Sequence, residues 1–263
     1  MKIGVTQIIL GDLSLAESLQ LCKDAGYEAL ELVFGEGRDP DVNMSDDEIR
    51  GVRKQCDDAG IEISSAIAWY ADRGNLLSSS KEDQENGRKC LIRAIEVASI
   101  VGTDGILLHP GALKGEGTYE QTWDTFLGIM KEVAPLAESK KVAVGIENVW
   151  NKFLLSSREM AAFVDAVGNP WIGTYLDTAN MMAYGYPEHW IRGLKDRIKR
   201  VHFKDFKRRE HKFVDLMDGD TDWPTIVADL RSIGYDSYVI HEVGGDRDAQ
   251  IETAARMKKI VSM

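Results

Sequence analysis

Short apolar runs alternate with longer segments of helical periodicity along the whole chain. The runs are rich in β-branched residues and begin near Lys2, Glu28, Glu62, Gly105, Val142, Trp171, Ile198 and Ser237. Between them, apolar residues recur at three- and four-residue spacings, which is typical of amphipathic helices. The pattern predicts eight strands, each followed by a helix, at about 33 residues per unit.

Polar residues and glycines mark the ends of the predicted helices. Four segments fit the capping box, in which two side chains bond the first free backbone N–H groups: 14–17, 45–48, 118–121 and 156–159. Gly26, Gly60, Gly102, Gly168 and Gly234 fall where helices are expected to end. Asp222, followed by Trp223 and Pro224, is placed to cap the start of another helix.

Eight uninterrupted strand–helix units predict an α/β fold, a single (β/α)8 TIM barrel over residues 1–263. An open doubly wound sheet is the alternative. Such a sheet usually carries a glycine-rich phosphate loop after its first strand, whereas Thr6 to Asp12 contains one glycine.

Acids and a histidine end four consecutive predicted strands. Glu147 ends the fifth strand, Asp177 the sixth, His202 the seventh and Glu242 the eighth. The carboxyl ends of barrel strands form one mouth, and buried like charges there require a counter-charge. Three carboxylates and an imidazole suit a divalent metal ion, with Mn²⁺ favoured over Mg²⁺, Co²⁺ or Zn²⁺. A structural ion-pair network is the alternative for these four residues.

Other strand ends supply candidates for substrate contact. His109 follows the fourth strand, and its alternative is a satisfied histidine beneath the rim. Glu31, in the second strand, would bond a substrate hydroxyl or support another site residue. Asp205 would contact metal or substrate, or else lie in a surface loop. Aromatic side chains there would pack against substrate C–H surfaces or against the rim; they are Trp69, Phe34 and Trp150.

Five segments carry a resemblance to a known family. They are AIAWY…LLHPG (66–111), GIENVW (145–150), LDTAN (176–180), RVHFKDFK (200–207) and GDTDW…VIHEV (219–243). The chain resembles the xylose isomerase-like TIM barrels, the sugar phosphate isomerase/epimerase superfamily. The resemblance covers nearly the whole sequence.

The resemblance implies roles for particular residues. It implies that Glu147, Asp177, His202 and Glu242 bind the metal, and that Glu147 and Glu242 also form the acid/base pair of the ketose 3-epimerase branch, which includes D-tagatose 3-epimerase. Asn180 stands where that branch has a substrate-holding histidine. The segments ENVW (147–150) and HFKDF (202–206) more closely resemble members such as L-ribulose-5-phosphate 3-epimerase. The resemblance also implies a homodimer or homotetramer.

We therefore expect a metal-dependent isomerase or epimerase of a sugar or sugar phosphate, with ketose 3-epimerase favoured. Proton transfer would pass through an enediolate whose charge a Lewis acid stabilises. An inosose dehydratase-like lyase is the alternative. An endonuclease IV-like hydrolase would need many histidines for three zinc ions, and the chain has five. A non-catalytic sugar-binding barrel would not need the intact Glu/Asp/His/Glu set.

The composition limits which kinds of partner and which cellular location are expected. The net charge of −11 disfavours nucleic acid, and no apolar run reaches the roughly 18 residues of a membrane helix. The opening MKIGVTQIIL predicts a strand rather than a signal peptide, and the three cysteines suit a reducing compartment, so we expect a cytoplasmic protein. The basic stretch 204–209 is interpreted as a solvated loop, although Arg208 and Arg209 are candidates for a substrate phosphate.

Overall fold

Eight parallel strands close into a barrel in the computed structural model, which describes residues 1–263. The strands in chain order are β1 (Lys2–Thr6), β2 (Ala29–Phe34), β3 (Glu62–Ala68), β4 (Gly105–Leu108), β5 (Ala143–Glu147), β6 (Ile172–Asp177), β7 (Ile198–Phe203), β8 (Asp205–Lys207), β9 (Lys212–Val214) and β10 (Tyr238–His241). Strands β8 and β9 form a separate antiparallel hairpin, and the others follow the barrel order β1-β10-β7-β6-β5-β4-β3-β2. The expected (β/α)8 barrel is confirmed.

Eight helices follow the barrel strands. Their bounds are α1 (Leu15–Ala25), α2 (Asp46–Ala59), α3 (Lys81–Val101), α4 (Tyr119–Lys140), α5 (Ser157–Val167), α6 (Pro187–Leu194), α7 (Trp223–Ser232) and α8 (Arg247–Val261). Short 3-10 turns lie at Gln7–Leu10, Asn180–Ala183 and Lys195–Arg197. None of the helices combines the length and the apolar character needed to cross a lipid bilayer.

Most of the predicted helix boundaries agree with the structure. Capping boxes are complete at Ser14, Ser45 and Thr118. Ser156 caps α5 through the backbone N–H of Glu159, but the Glu159 carboxylate bonds the Ser156 hydroxyl instead of its N–H, so that box is half formed. Four of the five predicted glycines cap their helices in the left-handed conformation, whereas α7 ends at Ser232 and Ile233 occupies its cap.

Bulky side chains fill the barrel interior where neighbouring strands carry glycine. A Cβ atom on Gly105 would lie 3.2 Å from the Arg200 guanidinium, and one on Gly145 would lie 2.9 Å from the Tyr175 Cβ. Arg200 is buried; it donates a 2.9 Å hydrogen bond to the Ser64 carbonyl and pairs with Asp104. The interior is therefore packed below the mouth, and the space for a ligand lies at the carboxyl ends of the strands.

Candidate metal centre

Four consecutive strands bring the predicted metal ligands together. Glu147 and Asp177 end β5 and β6, His202 lies in β7, and Glu242 directly follows β10. One ligand atom from each residue lies within 4.8 Å of the others. The parallel register accounts for this, since Asp177 pairs with His202, and His241, which precedes Glu242, pairs with Phe203.

Two buried atoms of this cluster lack hydrogen-bond partners. Asp177 Oδ1 accepts hydrogen bonds from the backbone N–H groups of Ala179 (2.8 Å) and Asn180 (2.7 Å), while its Oδ2 has none. His202 Nδ1 is also buried without a partner. Unpaired buried polar atoms are costly. Both atoms belong to a cluster of three carboxylates and one imidazole, and this donor set fits a divalent cation.

The carboxylate of Glu31 lies behind His202. Its Oε1 is 3.2 Å from His202 Nε2, and its Oε2 accepts hydrogen bonds from Ser65 Oγ (2.6 Å) and Tyr175 Oη (2.7 Å). Of the two roles expected for Glu31, the geometry matches support of another site residue. With Nε2 held this way, the Nδ1 atom of His202 is turned toward the cluster and lies 3.7 Å from Glu242 Oε2.

The charges of these two groups are strongly coupled. Burial alone would raise the pKa of Glu31, but the adjacent His202 and the hydrogen bonds from its neighbours outweigh burial and lower that pKa to about 2. Burial would likewise lower the pKa of His202, but the surrounding carboxylates, Glu31 first, raise it to about 9. Glu31 therefore stays ionised and holds the imidazole in one orientation.

We expect Glu31→Gln to weaken metal binding by about 10- to 100-fold, because partners of a ligating histidine orient the ring and raise its basicity. Chelator competition on the purified variant measures this. Ser65→Ala is the matched control, since it removes another hydrogen bond to the same carboxylate and leaves the His202 contact in place. Equal affinity in Glu31→Gln and wild type would remove the positioning role.

Glu147 experiences an excess of negative charge. Burial, followed by the charges of Glu242 and Asp177, raises the pKa of Glu147 to about 8. A bound cation would reverse this shift by favouring the ionised carboxylate. Asn180 Nδ2 lies 3.2 Å from Glu147 Oε1 and donates to it, so the predicted substrate residue instead contacts one of the two candidate acid/base groups.

Lys204 belongs to the site, and the sequence interpretation missed it. Its Nζ lies 3.1 Å from Glu242 Oε2, 3.6 Å from Asp177 Oδ2 and 3.4 Å from Asn180 Oδ1. The solvated-loop interpretation of 204–209 is therefore wrong at Lys204. It is also wrong at Arg208, which donates to the carbonyls of Met182 (2.6 Å) and Gly185 (2.7 Å). The signal was alternation: His202 and Lys204 are two residues apart and so share a strand face.

Asp205 does not face the cluster. Its buried carboxylate accepts hydrogen bonds within the loop that leads to α7; the donors are Phe206 N (2.9 Å), Met217 N (2.9 Å), Gly219 N (3.1 Å), Thr221 N (3.3 Å), Thr221 Oγ1 (2.6 Å) and Trp223 Nε1 (3.2 Å). These bonds use both carboxylate oxygens. Asp205 thus fixes the loop that leads to α7.

The remaining candidates lie at strand ends or shortly after them. His109 is half-buried, and its Nδ1 accepts a 3.2 Å hydrogen bond from the backbone N–H of Gly111. Trp69 and Trp150 are each 46% exposed, and Trp150 Nε1 donates to the Asn180 carbonyl. Phe34 differs from both, because it is buried in the core.

The fold and the cluster together define a (β/α)8 barrel with an acidic, metal-competent mouth. The chain matches the xylose isomerase-like TIM barrel family over residues 19–260, and it belongs to that family. The family expected from the sequence is therefore confirmed.

Three known proteins illustrate the likeness. The Haemophilus influenzae protein named "Putative L-ribulose-5-phosphate 3-epimerase SgbU" is 24% identical over 209 residues, which cover 78% of this chain and 73% of that protein. A crystal structure of a D-tagatose 3-epimerase-like protein has a TM-score of 0.84 at 20% identity and covers 100% of this chain and 97% of its own. The structure of the IolI protein with a bound zinc atom has a TM-score of 0.83 at 17% identity, covering 100% and 98%.

Proposed function

We propose that the protein is a metal-dependent epimerase of a sugar or sugar phosphate, and specifically a ketose 3-epimerase. The observation that carries the proposal is the cluster of Glu147, Asp177, His202 and Glu242 within 4.8 Å. Relatives named as sugar epimerases support the same enzyme class, and the zinc atom in the IolI structure supports a divalent metal. Mn²⁺ as the metal, a homodimer or homotetramer, and a cytoplasmic location stay predictions.

The metal would be held by the four clustered residues and would supply Lewis-acid stabilisation of charge on a substrate oxygen. Glu147 and Glu242 carry out the proton transfers in this proposal. They enter the mouth from β5 and β10, with β6 and β7 between them in the barrel order. Carboxylates on two sides of a bound sugar allow removal of a carbon-bound proton from one face and its return to the other.

The neighbours of these glutamates hold them in orientation. Lys204 Nζ lies 3.1 Å from Glu242 Oε2, and this ion pair fixes the position of the Glu242 carboxylate. Asn180 donates to Glu147 and also to the Asn148 carbonyl at 3.1 Å, so it fixes the Glu147 carboxylate relative to the end of β5. Each acid/base group is thus held by a neighbour from a different strand end.

A panel of ketoses tests the proposal. Because Asn180 stands in place of a substrate-holding histidine, we expect a higher kcat/KM on a phosphorylated ketose, such as L-ribulose 5-phosphate, than on free D-tagatose or D-fructose. Proton NMR in deuterated water reports both epimerisation and exchange, and chelator treatment should abolish both.

Other outcomes of the panel are equally informative. A free ketohexose that outperforms every phosphorylated ketose would reverse the substrate class. A product that has lost water would identify a lyase. Neither exchange nor turnover on any ketose, with metal bound, would overturn the proposed function.

A further inference from the structure

Arg73 is the one arginine that is not solvent-exposed and yet has no hydrogen-bond acceptor or ion-pair partner in the protein. Arg158 and Arg209 also lack partners, but both are exposed. Arg73 lies in the loop between β3 and α3. Neither adjacent Asp72 nor Glu36, which accepts from the Ala71 N–H, pairs with it.

The ring of Trp69 holds the Arg73 guanidinium in place. The guanidinium carbon lies 3.9 Å from the ring centroid, which is a close cation–π contact. Stacking uses the flat face of the guanidinium and leaves its N–H edge free. That edge is the part that binds phosphate or carboxylate oxygens in a bidentate manner.

The barrel register places this pair at the same mouth as the candidate metal centre, on the opposite side. Ile67 pairs with Leu107, and Leu108 pairs with Ile146. Continued by one or two residues, this register brings Trp69, His109 and Glu147 to one level on neighbouring strands, which are spaced about 4.8 Å apart. In the closed order, β3 lies opposite β7, the strand of His202. A sugar bound at the cluster and extending across the mouth would therefore point toward the side that carries Arg73.

Hydrogen bonds between loops fix the position of Arg73. The backbone N–H of Leu76 donates to the Pro110 carbonyl (3.0 Å), and Asn75 Nδ2 donates to the Ala112 carbonyl (3.0 Å). Asn151 Nδ2, from the loop after β5, donates to the Gly111 carbonyl (3.0 Å). The loops after β3, β4 and β5 are therefore linked, and Arg73 is presented from a supported loop rather than a free one.

The rest of the mouth is unfavourable for an anion. Glu147, Asp177 and Glu242 are acidic, and Lys204 is already paired with two of them. Arg208 is committed to backbone carbonyls. A substrate carrying a negative group needs a separate, uncompensated cation, and among the arginines that are not exposed Arg73 alone meets that description.

We infer that Arg73, stacked on Trp69, forms an anion subsite for the phosphate or carboxylate at the end of the sugar remote from the reacting carbon. This rests on the proposed function for the identity of the sugar. The subsite gives the enzyme a preference for sugars with an anionic end over the corresponding neutral polyols. His109, between Trp69 and Glu147, faces the middle of such a substrate.

Binding measurements test the subsite without turnover. Isothermal titration calorimetry on metal-loaded protein compares ribitol, ribitol 5-phosphate and ribonate. For at least one of the anions, we expect the affinity relative to ribitol to be about 10- to 100-fold lower in Arg73→Gln than in wild type, because a charge-assisted contact is lost. Arg158→Gln is the matched control, because it removes an exposed arginine of α5 that also has no partner, and it should keep the wild-type ratio.

The two anions separate the two sources of the charge. If the relative affinity of Arg73→Gln is lower for ribitol 5-phosphate, the subsite is assigned to phosphate. If it is lower for ribonate alone, the subsite is assigned to the carboxylate of a sugar acid. The same anion-to-ribitol ratio in wild type and Arg73→Gln overturns the inference, and so does a wild type with no preference for either anion. Because these ligands are not turned over, a loss of ratio supports the subsite even if every ketose proves inert and the proposed epimerase activity fails.

Discussion

Glu147→Gln and Glu242→Gln should each abolish epimerisation, with turnover at least about 10²- to 10⁴-fold below wild type. Glutamine keeps an oxygen donor and nearly the same shape, so the fold and part of the metal should survive. It cannot act as a base at neutral pH. Inversion needs a proton acceptor on one face of the carbon and a donor on the other, so the loss of either carboxylate stops the full reaction.

Exchange in deuterated water separates the two glutamates. The variant that retains the proton-abstracting base should still exchange the carbon-bound proton without inverting the centre, while the other variant should do neither. Glu116→Gln, an exposed residue of the loop after β4, is the matched control and should behave as wild type. Wild-type epimerisation in either site variant, with metal still bound, would falsify the two-carboxylate mechanism.

The ligand set could be predicted because strand ends are visible in the sequence. Apolar runs locate each strand, and an ionisable residue at the end of a buried parallel strand stands out against them. Glu147 and Asp177 are the last residues of β5 and β6, and Glu242 directly follows β10. The closed barrel then brings the four ends together, and this step requires no knowledge of side-chain conformation.

Depth along a strand was harder to predict. Glu31 lies three residues before the end of β2 at Phe34, so it sits below the rim and contacts His202 from behind. The sequence indicates that Glu31 is near a strand end but not where that strand stops. A shift of a few residues, about 3.3 Å each, separates a substrate contact from a support for a ligand.

The loop contacts could not be predicted from the sequence, for a different reason. Several partners of Asp205 lie in the irregular segment between β9 and α7, and the last, Trp223, is the first residue of α7. The role of Lys204 depends on strand alternation continuing past the end of β7, whereas its basic neighbours favoured a solvated loop. No periodic signal encodes such contacts, because they depend on how a loop folds back on itself.

Asp177→Asn should leave the protein folded but strongly impaired in metal binding. Asparagine keeps an oxygen where Asp177 Oδ1 accepts from the N–H groups of Ala179 and Asn180, so the turn after β6 is preserved. In place of Oδ2, which accepts no hydrogen bond, it presents an NH2 donor, and the substitution removes one negative charge. Changes to the partners of metal ligands typically cost about 10- to 100-fold in affinity, and the loss of a direct ligand should cost at least as much.

Elemental analysis measures the metal content, and thermal unfolding measures whether the variant stays folded. Wild type should carry one divalent metal per chain and unfold at a higher temperature when Mn²⁺ is added, because a ligand that binds only the folded state stabilises it by about 2.7 kcal/mol at 100 times its Kd. Asp177→Asn should lose both the metal and the shift. Its melting temperature without metal should not fall, since a like charge has been removed from beside Glu147. Asp124→Asn, exposed on α4, controls for the substitution itself. Equal metal content in Asp177→Asn and wild type would exclude Asp177 as a ligand, and with it the four-residue centre.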